Sequence, residues 1–233
     1  MTNRADTARR PLGLTTARLQ GLLDELRQAH GPLNWWPAET AFEVLVGAVL
    51  TQNTAWSNVE QAIDRLREAG LLDPVALIEA DPEVVAEAIR PAGYFNVKTR
   101  RLRNLCITYL QEGCLEGMQL QETGVLREKL LAVNGVGRET ADDILLYAFH
   151  RPVFVIDAYT RRILQRLGWI QGDESYERLR SAVEQALGPD TAAFNELHAQ
   201  IVMLGKDTCR PRPRCAQCPL SAVCAFASAD ASG

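Results

Sequence analysis

The sequence predicts an all-α protein, and three features lead to this fold class. Apolar residues recur three and four positions apart, as in the leucines of residues 19–26 and in the apolar positions of 59–66 and 126–131, which is the pattern of helices with one buried face. The breakers between such stretches are short pairs that contain glycine or proline. The one candidate strand, residues 153–156, is too short to form a sheet by itself.

The periodic stretches and the breakers together place most of the remaining helices. Asp73 and Asp81 each precede a proline, and an aspartate N-cap followed by proline at the first helical position is a typical helix start. The segment 208–214 is rich in proline and arginine and cannot be helical throughout. Further helices are expected near 40–55, 73–90, 96–112, 139–149, 157–168, 174–187 and 190–205.

Length and composition exclude several classes of protein. The chain has 233 residues, of which 47% are apolar and 23% charged. These values are typical of one large or two small globular domains, and not of a disordered chain, a collagen or a small disulfide scaffold. The apolar stretch 41–50 is too short to span a bilayer, and residues 1–13 lack the apolar segment of a signal peptide. We therefore expect a cytoplasmic protein with no membrane partner.

The net charge of −4 argues against a nucleic-acid partner, but the positive charges are clustered. Any one cluster is more often ordinary solvated surface. Three clusters in one chain are nevertheless compatible with a phosphate-binding face. The clusters are Lys98, Arg100, Arg101 and Arg103; Arg161, Arg162 and Arg166; and Lys206, Arg210, Arg212 and Arg214.

Four of the six cysteines lie together near the C-terminus, in the pattern C-x5-C-x2-C-x5-C. Four thiols in a short, loop-rich segment of a cytoplasmic protein indicate metal ligands, with a disulfide pair or unpaired thiols as the alternatives. Zinc and an iron–sulfur cluster both accept four thiolates, and the uneven spacing favours [4Fe–4S]. Cys106 and Cys114 stand apart and are expected to be packing residues. The four predicted ligands are Cys209, Cys215, Cys218 and Cys224.

Two further motifs are candidates for DNA binding and catalysis. Gly135 and Gly137 lie between two helical patterns and allow a tight hairpin, and the helix that begins near Arg138 offers unpaired N–H groups to a phosphate. The same hairpin could be a plain turn between helices. Asp157 follows the apolar run 153–156 at the start of a helix, where it could simply be an N-cap.

These motifs, in this order, resemble the endonuclease III superfamily of helix–hairpin–helix DNA glycosylases, which act in base excision repair. The resemblance rests on residues 130–142, on Asp157 and on the four C-terminal cysteines. It implies that Asp157 is catalytic and that the cysteines hold a [4Fe–4S] cluster, although the first cysteine gap is one residue shorter than usual. It also implies a DNA-binding hairpin, made by Asn134, Gly135, Val136, Gly137, Arg138 and Thr140.

Glu139 separates this chain from the bifunctional members of the family. Those members have a lysine at this position, which forms a Schiff base and allows strand cleavage. A carboxylate cannot form an imine, so we expect a monofunctional glycosylase with weak or absent lyase activity. The rival is a bifunctional oxidised-pyrimidine enzyme that uses one of the remaining lysines, Lys98, Lys129 or Lys206.

The segments around three tryptophans resemble the endonuclease III-like 3-methyladenine glycosylases of bacteria. The resemblance implies that Trp35, Trp36 and Trp56 line the base pocket, and that Glu139 belongs to the catalytic site. A flipped base would stack on indoles, which favour a cationic, alkylated base, while Asp157 would stabilise the oxocarbenium sugar. The tryptophans could instead cap the core, and Glu139 could be an exposed charge at a helix start.

Two glutamines complete the candidate base pocket. By resemblance, Gln52 would fill the gap that the flipped base leaves in the duplex. Gln200 stands where one characterised branch of these glycosylases has a lysine. Both are therefore predicted to be close to the target nucleotide.

The resemblance also implies a two-lobed architecture with DNA across the cleft. A six-helix barrel would cover residues 38–148, with the helix–hairpin–helix motif at about 124–148. Residues 1–37 and 149–233 would form the second domain, with the cluster loop at 209–224. We expect a monomer that binds damaged double-stranded DNA at the nucleoid. The alternative of another class is a lesion-binding protein without catalytic activity.

Overall fold

The structure, a computed structural model, describes residues 11–33 and 35–230, without the side chain of residue 230. The all-α prediction is confirmed, because every regular element in this part of the chain is helical. The expectation about a signal peptide falls mostly on residues 1–10, which lie outside the described residues. The helices are α1 (Thr16–His30), α2 (Ala41–Leu50), α3 (Trp56–Glu68), α4 (Pro74–Glu79), α5 (Pro82–Ala88), α6 (Phe95–Gln111), α7 (Cys114–Gln119), α8 (Thr123–Ala132), α9 (Arg138–Asp143), α10 (Ala158–Arg166), α11 (Tyr176–Leu187), α12 (Thr191–Asp207) and α13 (Ala225–Asp230).

The described residues form two compact units. One, here called the hairpin unit, is Trp36–Arg151 and contains α2 to α9. The other, the cysteine unit, comprises the described residues within Met1–Trp35 and Pro152–Gly233 and contains α1 and α10 to α13. No helix in the described ranges has the length and apolar character needed to cross a membrane.

Helix α2 is the centre of the hairpin unit, and it is shorter than predicted. Nine of its residues are buried, so the helix is apolar on nearly every side. The sequence predicts a helix near 40–55, whereas α2 ends at Leu50 and a turn follows. The Thr51 hydroxyl donates to the Gly47 carbonyl at 2.6 Å, and Asn53 adopts a left-handed conformation with φ 54°. The Thr51 N–H still donates to the same Gly47 carbonyl, so the left-handed Asn53 is what ends the helical hydrogen-bond pattern.

The two predicted aspartate caps are confirmed. A carboxylate oxygen of Asp73 accepts hydrogen bonds from the Val75 and Ala76 N–H groups at 2.9 Å, and Asp81 caps α5 through the Glu83 N–H. Because each cap begins its own helix, the stretch 73–90 consists of α4 and α5 and not of one continuous helix.

The core of the cysteine unit forms where α12 packs against α1 and α10. The candidate strand 153–156 is buried and extended, but it pairs with no other strand among the described residues. Its backbone N–H groups instead meet side chains: Phe154 donates to Glu184 Oε1 at 2.9 Å, and Ile156 to the Tyr176 hydroxyl at 3.4 Å. The Phe154 ring also packs edge-on against Phe194 of α12.

Candidate functional site

The hairpin that joins α8 to α9 presents a polar tip on an apolar base. Gly135 has φ 103°, a left-handed conformation that favours glycine. The Val136 side chain is buried and anchors the turn. Asn134, Gly137 and Arg138 are exposed, so the hairpin offers its backbone and one positive charge to a ligand.

The structure requires glycine at one of the two hairpin positions, 135, and not at the other, 137. A Cβ at Gly135 would collide with Arg101 Cγ, so both the backbone conformation and the packing require glycine there. Gly137 has φ −90°, which any residue can adopt. No atom of the described residues lies within 4 Å of the position that a Cβ would take at Gly137. Glycine at 137 therefore has no explanation inside the described protein.

Gln52 lies against this hairpin and ties it to the turn after α2. Its amide nitrogen donates to the Gly135 carbonyl at 3.0 Å and to Thr140 Oγ1 at 2.9 Å, and its oxygen accepts from the Arg101 guanidinium. The structure thus brings Gln52 and Thr140, both predicted site residues, together. Its role beside a flipped base stays a prediction, because insertion would require these hydrogen bonds to break.

Two of the predicted pocket tryptophans are in contact. The Trp36 and Trp56 rings meet edge-on with centroids 5.1 Å apart, and Tyr147 lies 5.1 Å from Trp36 on another side. Gly47 makes room for this cluster, since a Cβ there would lie 3.1 Å from Trp36 Cζ2. Tyr147 was missed by sequence reasoning because it lies in a π-helical stretch, Ile144–Ala148, where ordinary helical spacing fails. Trp35 belongs to the cysteine unit.

Glu139 is exposed in the first turn of α9. A carboxylate there interacts favourably with the helix dipole, so the plain structural explanation of this residue holds. The same position, one residue after the exposed Arg138, also leaves the carboxylate accessible to a ligand.

The prediction that Lys98 belongs to an exposed basic cluster is wrong. Lys98 is buried, and its Nζ donates to the Leu50 and Ala92 carbonyls, each at 2.8 Å, and to Thr54 Oγ1 at 2.6 Å. Burial, helped by the nearby charge of Arg101, lowers the pKa of Lys98 to about 8. The ammonium holds three chain segments together, which local sequence gives no means of foreseeing.

Asp157 caps α10 and also faces a histidine. Its Oδ1 accepts from the Thr160 N–H at 2.6 Å, and its Oδ2 lies 3.7 Å from His198 Nε2. Burial acts to raise the pKa of Asp157, but His198 and the bonds from Thr160 outweigh it and hold the pKa below its usual range. The N-cap role is thus confirmed, and the carboxylate is ionised at neutral pH. His198 was missed because it lies on α12, far along the chain.

Gln200, the second predicted pocket glutamine, is fully buried in the cysteine unit. Its Nε2 donates to the Gly31 carbonyl at 2.7 Å and to Glu196 Oε1 at 2.9 Å, and its Oε1 lies 2.9 Å from His30 Nδ1. These contacts join α12 to the end of α1. The amide is fully used by them, and its predicted contact with a base is not tested.

The four predicted ligand cysteines line one small cavity in the cysteine unit. Burial raises the pKa of the Cys218 thiol, and the other three cysteines raise it further because neighbouring thiolates repel each other. No three His, Cys, Asp or Glu side chains in the described part are placed to hold a single metal ion. Four cysteine thiolates are a ligand set that a [4Fe–4S] cluster and a structural zinc ion both accept, so the donor set fits either group.

Two arginines of helix α10 donate hydrogen bonds to the segment around Cys209. Arg162 donates to the Cys209 carbonyl at 2.8 Å and to that of Gly205 at 2.9 Å. Arg166 donates to Cys209 Sγ at 3.2 Å and to the Arg210 carbonyl at 2.7 Å. Arg162 and Arg166 thus hold backbone carbonyls of the cysteine segment, and a role of this cluster in binding phosphate stays a prediction.

Arg161, the third arginine of the same cluster, also serves the fold, because it donates to the Glu174 carbonyl at 2.8 Å. In the C-terminal cluster, the residues of the cysteine segment, Arg210, Arg212 and Arg214, are exposed. Those charges remain accessible to a polyanion.

Comparison with known proteins identifies the family. Residues 46–189 match the model of the HhH-GPD superfamily base excision DNA repair proteins. A protein of Methanocaldococcus jannaschii assigned as a DNA repair glycosylase is 45% identical over 84% of this chain and 90% of its own length. Endonuclease III of Thermotoga maritima is 30% identical over 79% of this chain and 83% of its own.

Solved structures agree with this assignment. The 3-methyladenine DNA glycosylase of H. pylori, solved with 1,N6-ethenoadenine, covers 82% of this chain and 96% of its own, with a TM-score of 0.72 and 29% identity. An endonuclease III–DNA complex covers 94% and 99%, with a TM-score of 0.79 and 23% identity, and so supports the fold. The chain therefore belongs to the HhH-GPD superfamily of base excision DNA repair proteins.

Proposed function

We propose that this protein is a monofunctional DNA glycosylase that hydrolyses the N-glycosidic bond of an alkylated purine such as 3-methyladenine. The observation that carries this proposal is the ionised carboxylate of Asp157, which accepts a hydrogen bond from the Thr160 N–H and lies opposite His198, in a chain of a base excision repair family. The target would be double-stranded DNA with a damaged base, bound by one copy of the protein.

Asp157 is proposed to act on the sugar. As the bond from C1′ to the base breaks, the electron pair leaves with the base and positive charge develops on the sugar. A fixed carboxylate stabilises that charge and orients a water molecule, whose oxygen bonds to C1′ while its proton passes to the carboxylate and then to solvent. A cationic alkylated base leaves as a neutral molecule, so no strong general acid is needed.

Trp36 and Trp56 are proposed to receive the flipped base. Their contact with each other and with Tyr147 forms a half-buried aromatic cluster, and indole faces attract cationic rings. The likeness to the H. pylori 3-methyladenine glycosylase supports the same substrate class. Trp35 and Glu139 are assigned to this pocket by the same resemblance, with Glu139 adding negative potential.

The lysines support hydrolysis without strand cleavage. Schiff-base formation requires an accessible, deprotonated amine. Lys98 is buried with its ammonium engaged by three acceptors, and Lys129 Nζ lies 2.6 Å from Glu112 Oε2. Lys206 is exposed but lies at the end of α12, outside the hairpin motif. These contacts weigh against the bifunctional alternative.

Cys209, Cys215, Cys218 and Cys224 are proposed to hold a [4Fe–4S] cluster. They line one cavity, and the arginines of α10 already fix the first of them. When bound, the cluster would supply covalent cross-links among four points of a loop that has little core of its own.

The hairpin unit and the cysteine unit are proposed to be the two domains that the sequence predicts, with boundaries near 38–148 and 1–37 plus 149–233. The hairpin residues from Asn134 to Thr140 would hold the DNA backbone through exposed N–H groups. Arg138, at the start of α9, would add a positive charge.

The deciding experiment measures base release from methylated duplex DNA, with free bases identified by chromatography and strand breaks scored in the same reaction. Release of 3-methyladenine without breaks is the expected result. Cleavage at oxidised pyrimidines with a borohydride-trapped adduct would favour the bifunctional alternative. Affinity for damaged DNA without any base release would favour a non-catalytic lesion-binding protein.

A further inference from the structure

An open groove of about 540 Å³ lies beside the hairpin, within the hairpin unit. One of its walls is a face of α6, and the other is the start of the hairpin. The residues of this arginine groove that matter here are Arg100, Arg101, Arg103, Asn104, Asn134 and Gly135.

The groove carries three positive charges and no acidic lining residue. The Arg101 guanidinium donates to the amide oxygen of Gln52, and Arg103 donates to the carbonyls of Ile78 and Ala80 at 2.6 and 2.9 Å. These acceptors are neutral, so both charges remain uncompensated. Arg100 is exposed, and no described carboxylate forms an ion pair with it.

The groove and the hairpin are held together as one surface. Asn104 Nδ2 donates to the Asn134 carbonyl at 3.0 Å, which fastens the hairpin to α6. Gly135 leaves room for the aliphatic part of Arg101. Arg100 and Arg101 lie four and three residues before Asn104, so all three face the same side of the helix. The positive charges are therefore fixed relative to the hairpin tip.

We propose that the arginine groove binds the DNA phosphate backbone next to the phosphates held by the hairpin, with Arg100 as its main contact. The inference rests on the proposed function, since it assumes that the hairpin meets DNA. A guanidinium suits this role because it can donate two parallel hydrogen bonds to one phosphate. Exposed Arg100 makes the contact, while Arg101 and Arg103 raise the local positive potential.

The test is the salt dependence of binding to a short fluorescent duplex with one tetrahydrofuran abasic-site analogue, measured by anisotropy. Each arginine–phosphate contact adds about 0.9 to the slope of log affinity against log salt. For R100Q we expect weaker binding and a slope shallower by about one. The affinity ratio of wild type to variant should then shrink about 3–4-fold between 50 and 200 mM salt.

Two further variants separate charge from other effects. R100K keeps the charge and should keep the wild-type slope. R65Q removes an exposed arginine of α3 outside the groove and should leave slope and affinity unchanged. A wild-type slope and affinity in R100Q would overturn the proposal.

The binding assay can fail independently of the catalytic one. R65Q, which lies outside the groove, should release base as wild type does, whereas R100Q should need a higher DNA concentration for half-maximal release. If the wild-type protein released no base, the proposed glycosylase function would be refuted. The salt slopes of wild type and R100Q would still decide whether the groove binds DNA.

Discussion

Gly137 is the residue whose identity the described protein explains least, and DNA is the proposed reason for it. G137A should fold and lose at most about 1 kcal/mol of stability, because the backbone and the surrounding space accept a methyl group and only the poorer N-cap preference of alanine acts against it. The added Cβ should nevertheless weaken duplex binding, because it would stand between the hairpin N–H groups and a phosphate.

Thermal unfolding and anisotropy would measure the two effects of G137A. G124A is the matched control, since Gly124 in α8 also has open space around it and lies outside the hairpin. G135A should behave differently and lose stability, because position 135 is left-handed and packed against Arg101. Normal binding by G137A would remove residue 137 from the interface.

Asp157 allows a substitution that separates its structural role from its chemical one. Asparagine is as good an N-cap as aspartate, so D157N should keep the bond from the Thr160 N–H and fold normally. It lacks the negative charge and should lose base release by at least about a hundredfold while keeping duplex affinity. Single-turnover release and anisotropy on the same preparation are the measurements. Unchanged release would exclude Asp157 from the mechanism.

His198 sets the pH range in which Asp157 is ionised. The pKa of Asp157 lies below its usual range, although burial alone would raise it. The stability that this depressed pKa contributes is present above about pH 4. It is lost as the pH falls through the folded-state pKa, and base release should keep full activity down to the same region.

Replacing His198 with leucine should shift this range upwards. H198L removes the imidazole that counteracts burial, so the pKa of Asp157 should rise and the acid limb of base release should move to higher pH. H150Q changes an exposed histidine of the hairpin unit and should leave the profile unchanged. An acid limb that stays in place in H198L would mean that His198 does not control the ionisation of Asp157.

At the scale of elements, α10 joins the proposed catalytic residue to the proposed cluster. Asp157 caps its first turn, while Arg166 at its end donates to Cys209 Sγ and accepts from Cys224 Sγ through its carbonyl. R166Q should therefore loosen the cysteine loop and reduce stability by about 1.5–3 kcal/mol, the range for hydrogen bonds to charged groups. The purified variant should also hold less iron.

Iron content and visible absorbance per chain would test R166Q without reference to activity. R212Q is the control, because Arg212 is an exposed arginine of the same loop that does not line the cysteine cavity. Wild-type iron content and thermal stability in R166Q would mean that the contact between Arg166 and Cys209 does not hold the cysteine loop. A loss of iron in both variants would show that loop charge in general, and not this contact, retains the metal.

The helices also show which structural features can be predicted from the sequence: helix caps can, and contacts between distant residues cannot. The caps at Asp73, Asp81 and Asp157 were predictable because a cap depends on residues two or three positions away. The burial of Lys98 was not predictable, because its ammonium meets groups up to 48 residues away in the chain. The contacts of Arg162 and Arg166 were not predictable for the same reason, since their acceptors lie more than 40 residues away.

The residues of the candidate site also differ in whether the sequence alone reveals them. Its motifs predicted the family, because the hairpin glycines, Asp157 and the four cysteines follow one another in a recognisable order along the chain. Tyr147 and His198 were missed because only folding brings them to Trp36 and to Asp157. A linear pattern thus identifies the groups that carry the chemistry, and the fold adds the groups that surround them.

At the scale of the whole molecule, a chain with a net charge of −4 is proposed to bind a polyanion. The two statements are compatible because the Debye length is about 10 Å at 0.1 M salt, so a bound phosphate responds to charges near it and not to the total. The exposed arginines of the groove and of the cysteine loop supply that local charge.

Removing charged residues that belong to neither the groove nor the cysteine loop should consequently leave DNA affinity unchanged. The double variant E25Q/E68Q removes two exposed acids, one on α1 and one at the end of α3. At 0.15 M salt its duplex affinity and its salt slope should match those of wild type, whereas R100Q alone should alter both. A rise in affinity of E25Q/E68Q comparable to the loss in R100Q would mean that the net charge governs binding, and the arginine groove would then be one contributor among many.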